Sequence, residues 1–149
     1  MTSAIFSSLH LLALAIGLPS VFLRGRALRA PLDRAGLGRL FAADTFWAAA
    51  AGLWIVTGLV RAFGGLEKGG AFYLASPLFW AKMALLVAVL LLEVWPMVTF
   101  IRWRVARARG ASPDTARVGA LYAVNQVQLV LVVSMVFVAS LMARGFGLG

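Results

Sequence analysis

The chain has 149 residues, of which 62% are hydrophobic and only 13% are charged. A soluble domain of this length keeps a large surface relative to its volume, so it could not bury that much apolar side chain. The composition therefore excludes an ordinary soluble domain and indicates a protein that lies in a lipid bilayer. The absence of cysteine also excludes disulfide bonds, thiolate metal sites and cysteine nucleophiles.

The charge is strongly basic, with 14 Lys and Arg against 5 Asp and Glu and a net charge of +9. In a soluble protein this excess would suggest a nucleic-acid partner. Here the arginines cluster in two short segments between apolar stretches, and no alternating pattern of aromatic and basic residues suggests base stacking. This pattern is typical of the cytoplasmic loops of membrane proteins, so we expect no nucleic-acid partner.

Four apolar stretches are long enough to cross a bilayer, which takes about 20 helical residues. We predict helices at residues 4–23, 40–60, 77–101 and 118–142. Ser76 and Pro77 supply an N-cap and a first-position proline for the third helix. The short connections predict an all-α, four-helix up-down bundle. Residues 1–149 would then form a single transmembrane domain.

The arginine clusters also predict the orientation of the bundle. The first residues, MTSAIFSS, carry no positive side chain, which argues against a cleaved signal peptide. The clusters follow the first and third apolar stretches, so the positive-inside rule places both connections in the cytoplasm and both termini outside. We expect a multi-pass protein of the bacterial cytoplasmic membrane. Its partner is the lipid bilayer, and a homo-oligomer is one option for its assembly.

Polar side chains within the predicted spans are costly in lipid, so they are candidates for a functional site. His10 is the only histidine of the chain, and Lys82 lies at a similar depth in the third helix. The two side chains could flank one ligand. Alternatively, His10 only bonds a neighbouring helix and Lys82 extends to the outer headgroups. Arg61 is expected at the outer interface.

A second group of polar residues lies deeper. Glu93 is too deep to reach the interface easily, so it is either protonated or paired. It shares a helix face with Lys82, because eleven residues make about three turns. Asn125 and Gln128 on the fourth helix could reach Glu93. Asp44, nearer the inner interface, is expected to pair with one of three arginines, Arg24, Arg26 or Arg102.

The sequence contains none of the motifs HExxH, GxGxxG or a Walker loop. One histidine alone cannot form a zinc site, which takes about four ligands. Haem b is compatible with the sequence, because it needs one or two axial ligands, an apolar slot and cations for its propionates. His10 and Lys82 are the candidate ligands to the metal, Lys82 on condition that its amine is neutral. Arg61 could meet a propionate.

Over roughly the whole chain, the sequence resembles a family of uncharacterised bacterial four-helix membrane proteins. The stretches that carry this likeness are HLLALAIGLPSVFLRGRAL, FAADTFW, AGLWIVTGLVRAFGGLEKG and SPLFWAKMALLVAVLLLEVWPMVTFIRWR. A more distant similarity, to HemJ-type protoporphyrinogen oxidases and CopD-type copper-resistance membrane domains, rests on His10 and Lys82. The HemJ resemblance implies that these two residues bind haem b. HemJ proteins tend to have a tyrosine-histidine pair where this chain has Glu93.

Two classes of function stay open from the sequence. The first is a haem-binding membrane protein with a redox role, or a quinone binder that uses the same pocket without a metal. The second is a non-enzymatic transporter of small molecules, a proton-linked carrier or an accessory subunit. In that case a polar path would be lined by four residues, Lys82, Glu93, Asn125 and Gln128. The sequence leaves open whether the protein is an enzyme.

Overall fold

The computed structural model of the protein describes residues 1–65 and 70–146. Within these residues the chain forms helices and no strands. The helices are α1 (Thr2–Arg29), α2 (Arg34–Phe63), α3 (Gly70–Ala75), α4 (Pro77–Ala108) and α5 (Val118–Ala143). The four long helices are each apolar and long enough to span a membrane. The predicted all-α membrane bundle is therefore confirmed.

The long helices continue beyond the apolar stretches at their polar ends. α1 runs on through Arg29, and arginines in its last turn are well placed beside the negative end of the helix dipole. α2 begins earlier than predicted, because the Asp33 carboxylate accepts a hydrogen bond from the Gly36 amide at 2.7 Å and caps the helix. Ser76 occupies the N-cap position of α4 as predicted, but its side chain makes no capping hydrogen bond.

The helices pack in a definite order. α1 packs closely on α2 and α5, and α5 packs on α4. Small residues allow the close approach of α1 and α2, since a Cβ added to Gly17 would lie only 3.3 Å from the Cβ of Ala50. α2 and α4 contact each other through long side chains. For example, Arg104 of α4 donates to the backbone oxygen of Phe41 of α2 at 3.0 Å.

The two ends of the bundle differ in character. The end with residues 24–39 and 102–117, which hold five arginines each, is called the basic end here. The opposite end, with residues 1 and 146 and α3, is called the terminal end. Between them lies a layer of buried apolar side chains from all four long helices, which we call the middle layer. Its members are Val21, Trp47, Val89, Val132 and Met135.

Candidate functional site

A fully buried arginine lies on the basic-end side of the middle layer. The sequence assigns Arg24 to the basic connection after the first span. Instead, its side chain lies inside the bundle with 0% of its surface exposed. His10, Gly17 and Arg24 recur every seven residues, so they occupy one inward face of α1. That spacing is the sequence signal for the buried position of Arg24.

All five N–H groups of the Arg24 guanidinium have an acceptor. Its Nε donates to Asn125 Oδ1 at 2.8 Å. Its Nη1 donates to Asp44 Oδ1 at 3.2 Å and to Glu93 Oε1 at 2.7 Å. Its Nη2 donates to Glu93 Oε2 at 3.0 Å and to Gln128 Oε1 at 2.8 Å. Arginine has five donors, so this charge is fully satisfied.

The carboxylate of Glu93 accepts every hydrogen bond that the structure gives it. Besides the two nitrogens of Arg24, the Trp47 indole donates to its Oε2 at 3.1 Å, and the Gln128 amide donates to the same oxygen. Because each of these contacts brings an N–H toward the carboxylate, the arrangement requires its ionised form. Of the two states that the sequence left open for Glu93, the structure shows the paired one.

Asp44 pairs with two arginines. Its Oδ1 accepts from Arg24, one of the three partners considered from sequence. Its Oδ2 accepts from Arg104 at 2.9 Å, a partner that sequence reasoning missed. Asn125 reaches Arg24 rather than Glu93, and its amide donates to the backbone oxygen of Val21 at 3.0 Å. Gly25 makes room for this amide, because a Cβ there would lie 2.6 Å from Asn125 Nδ2.

These residues form one unit, the Arg24 cluster, to which each long helix contributes. Its two arginines and two carboxylates balance in charge. Removing water from charges is expensive, and their attraction offsets this cost only when geometry and hydrogen bonding are good. Both conditions hold here, so the cluster joins the four helices in one register. Its members are Arg24, Asp44, Glu93, Arg104, Asn125 and Gln128, and Trp47 of the middle layer donates to it.

A cavity of about 400 Å³ lies on the other side of the middle layer, at the terminal end. This volume falls within the range of small-molecule sites. All five helices line the cavity, and most of the lining side chains are apolar. The lining residues with polar groups are His10, Trp54, Arg61, Tyr73, Lys82 and Ser140. Among the described residues, no group of three His, Cys, Asp or Glu could hold a metal ion.

His10 is one of the buried polar lining residues, with 9% of its surface exposed. Its Nδ1 lies 2.9 Å from the hydroxyl oxygen of Thr57 on α2. The Trp54 ring lies beside it, with the ring centroids 5.6 Å apart. The sequence did not identify Thr57 as a site residue, because no sequence pattern links it to His10, which lies 47 positions away.

The structure brings together some predicted site residues and separates others. His10, Arg61 and Lys82, from three different helices, line the one cavity. Lys82 and Glu93 share a face of α4, but they lie about 16 Å apart along the helix axis. Val89 of the middle layer stands between them. Glu93 therefore belongs to the Arg24 cluster and not to the cavity.

Comparison with known proteins places the chain in a family of unknown function. Residues 2–147 match the profile of a family described as "Predicted membrane protein (DUF2214)". No functionally characterised protein and no solved structure matches the chain. The distant similarity to HemJ-type and CopD-type proteins therefore stays a prediction. Because the match covers nearly the whole sequence, the chain belongs to the DUF2214 family of multi-pass membrane proteins.

Proposed function

We propose that this membrane protein binds haem b in the terminal-end cavity and has a redox role. One observation carries the proposal: a histidine, a lysine and an arginine from three helices line the same apolar cavity. Haem needs an apolar slot, axial ligands and cations near its propionates, and the cavity offers each of these.

Each of the three side chains has a separate part in the proposal. His10 would be one residue that holds the haem iron, and the contact of its Nδ1 with the Thr57 hydroxyl would orient the ring. Lys82 would be the second residue to hold the iron, on condition that its amine is neutral, and Arg61 would face a propionate. Haem held in this way would supply one-electron transfer chemistry, in a cavity whose lining is mostly apolar.

The position of Glu93 gives the transporter hypothesis little support. A proton-linked carrier would need Glu93 to exchange protons along a path that includes Lys82. Glu93 is instead clamped by the donors of the Arg24 cluster, and the apolar middle layer separates it from the cavity. A ligand of the cavity therefore has no polar route through the bundle by way of Glu93.

The arginine distribution supports an orientation with the basic end in the cytoplasm. The two basic connections carry the side chains that the positive-inside rule keeps on the cytoplasmic side. The terminal-end cavity would then open toward the periplasmic face of a bacterial cytoplasmic membrane. Electron exchange would take place in the outer half of the bilayer.

Absorption spectroscopy tests the haem proposal directly. The protein is expressed with ample haem supply, purified in detergent and scanned for a Soret band. We expect a stoichiometric band in the wild type, its loss in His10→Ala, and a shifted, weaker band in Lys82→Met. Ser134→Ala is the control, because that hydroxyl only donates to Val130 in its own helix. A colourless wild type, or an unchanged spectrum in His10→Ala, would overturn the proposal.

A further inference from the structure

We propose that the basic end of the bundle carries a binding site for an anionic phospholipid, in the groove between α2 and α4. The phosphodiester group lies against Arg104 and Arg107, and one acyl chain follows the groove toward the middle of the bilayer. Basic pockets between membrane helices are a recurrent form of anionic-lipid site. The groove is at the opposite end from the cavity, so this proposal is independent of haem binding.

The first observation is an unmatched positive charge between α2 and α4. The guanidinium groups of Arg104 and Arg107 both lie over the Phe41 ring, at 4.7 and 5.9 Å from its centroid. Asp44 pairs with Arg104 at 2.9 Å. Within residues 1–65 and 70–146, Arg107 has no ion pair. Two neighbouring cations therefore share one carboxylate, and an anion beside them would balance the remaining charge.

The second observation is that the same two side chains keep N–H donors in reserve. Arg104 makes its hydrogen bonds to α2, including one to the Thr45 hydroxyl, through Nη2, so its Nε and Nη1 have no acceptor in the described part of the chain. Arg107 is half-buried with its Nη1 near Gly38, and the described residues give it no acceptor either. Arginine binds phosphate through two parallel N–H groups, so a phosphodiester matches these donors.

The depth of the two arginines fits the headgroup layer of a membrane. Arg104 and Arg107 lie about 4.5 and 9 Å along the helix beyond Ile101, where the predicted apolar stretch ends. The polar layer on each side of a bilayer is roughly 5–7 Å thick. Side chains of a helix tilt toward its N-terminus, which for α4 is at the terminal end. Both side chains therefore lean back toward the level of the phosphates.

The groove beside these arginines has room for an acyl chain. Met97 and Ile101 lie two turns and one turn before Arg104 on the same face of α4, and they are 47% and 53% exposed. On α2, Ala42 and Ala49 share one face and are also exposed. A groove with small side chains on one wall and exposed apolar side chains on the other suits a single hydrocarbon chain.

The alternative is that lipid phosphates gather around the basic end without a fixed position. Arg102 distinguishes the two cases, because it is exposed and lies two residues before Arg104, about 200° around the helix. It has the same charge at nearly the same depth but faces away from the groove. A diffuse attraction would depend equally on Arg102 and Arg107, whereas a fixed site depends on Arg107.

Native mass spectrometry of the detergent-purified, full-length protein measures the binding, with dioleoylphosphatidylglycerol as the added lipid. We expect the wild type to retain one lipid per chain and Arg107→Gln to bind it at least about fivefold more weakly. Arg107→Lys should fall between them, since lysine keeps the charge but loses the two-point geometry. Arg102→Gln is the matched control and should bind like the wild type. Equal losses in Arg102→Gln and Arg107→Gln would overturn the proposal.

Further arms of the experiment separate the lipid from other ligands. Dioleoylphosphatidylcholine has the same chains without the net charge, and inorganic phosphate has the charge without the chains, so neither should displace the bound lipid at equal concentration. Displacement by either one would overturn the proposal. Ala49→Phe should fill the groove and weaken lipid binding while both arginines stay, and Ala123→Phe, exposed on α5, is its control. Undiminished binding in Ala49→Phe would overturn the position of the acyl chain.

Discussion

The guanidinium of Arg24 and the carboxylate of Glu93 form a two-point ion pair inside the bundle, with N–O distances of 2.7 and 3.0 Å. This geometry matches the planar fork of arginine to both carboxylate oxygens. The pair joins α1 to α4, and both of these helices also pack on α5. The Arg24 cluster therefore fixes the rotation of the helices whose other ends line the cavity.

Arg24→Met should destabilise the protein by about 3–5 kcal/mol, because it leaves the Glu93 carboxylate without its main partner and removes one of the two arginines that pair with Asp44. Thermal unfolding in detergent, followed by circular dichroism, measures the loss. Arg102→Met is the control, because that side chain is exposed. The double variant Arg24→Met with Glu93→Leu should be more stable than Arg24→Met alone. A double variant that is less stable than both single variants would contradict this account.

Gly25→Ala should destabilise the protein by about 1–3 kcal/mol, a typical cost of overpacking. The new Cβ would lie 2.6 Å from Asn125 Nδ2, and that amide cannot move without losing its bonds to Arg24 and Val21. Gly52→Ala is the matched control, because its Cβ would meet nothing within 4 Å. The thermal unfolding midpoints of the two variants are compared with that of the wild type. Equal midpoints for Gly25→Ala and Gly52→Ala would show that the close contact at Gly25 does not affect stability.

Ala139→Phe should block the cavity while leaving the fold intact, since Ala139 lines the cavity from α5. We expect haemin affinity to fall at least about tenfold, the equivalent of 1.4 kcal/mol. Ala123→Phe is the control on the same helix, because Ala123 is exposed. Both variants should keep the helical circular dichroism spectrum. Undiminished haemin binding in Ala139→Phe would place the cofactor elsewhere.

Cysteine labelling can determine the orientation, because the natural chain contains no cysteine. Thr115→Cys lies in the basic connection between α4 and α5, and Gly65→Cys lies after α2 at the terminal end. With the basic end in the cytoplasm, an impermeant maleimide should label the residue-65 variant in intact cells. The residue-115 variant should react only after lysis. The reverse pattern would invert the proposed topology.

Part of the site was accessible to sequence reasoning. Ionisable residues are so costly in lipid that those within apolar stretches stand out individually. His10, Lys82 and Glu93 were found in this way, and helical spacing gave their relative depth. Arg24 was assigned to the basic connection because it directly follows the first apolar stretch. Arg24 lies in the interior because α1 continues to Arg29, so that Arg24 stands one turn before the end of the helix.

The amino-acid sequence by itself determined that this chain is a membrane bundle of four long helices, because hydrophobicity over about 20 residues is a local property. The tertiary structure alone decided that Glu93 belongs with Arg24, that Thr57 holds His10, and that the middle layer separates the Arg24 cluster from the cavity. These relationships join residues far apart in the chain. They depend on how each helix is rotated about its axis and on which helices become its neighbours.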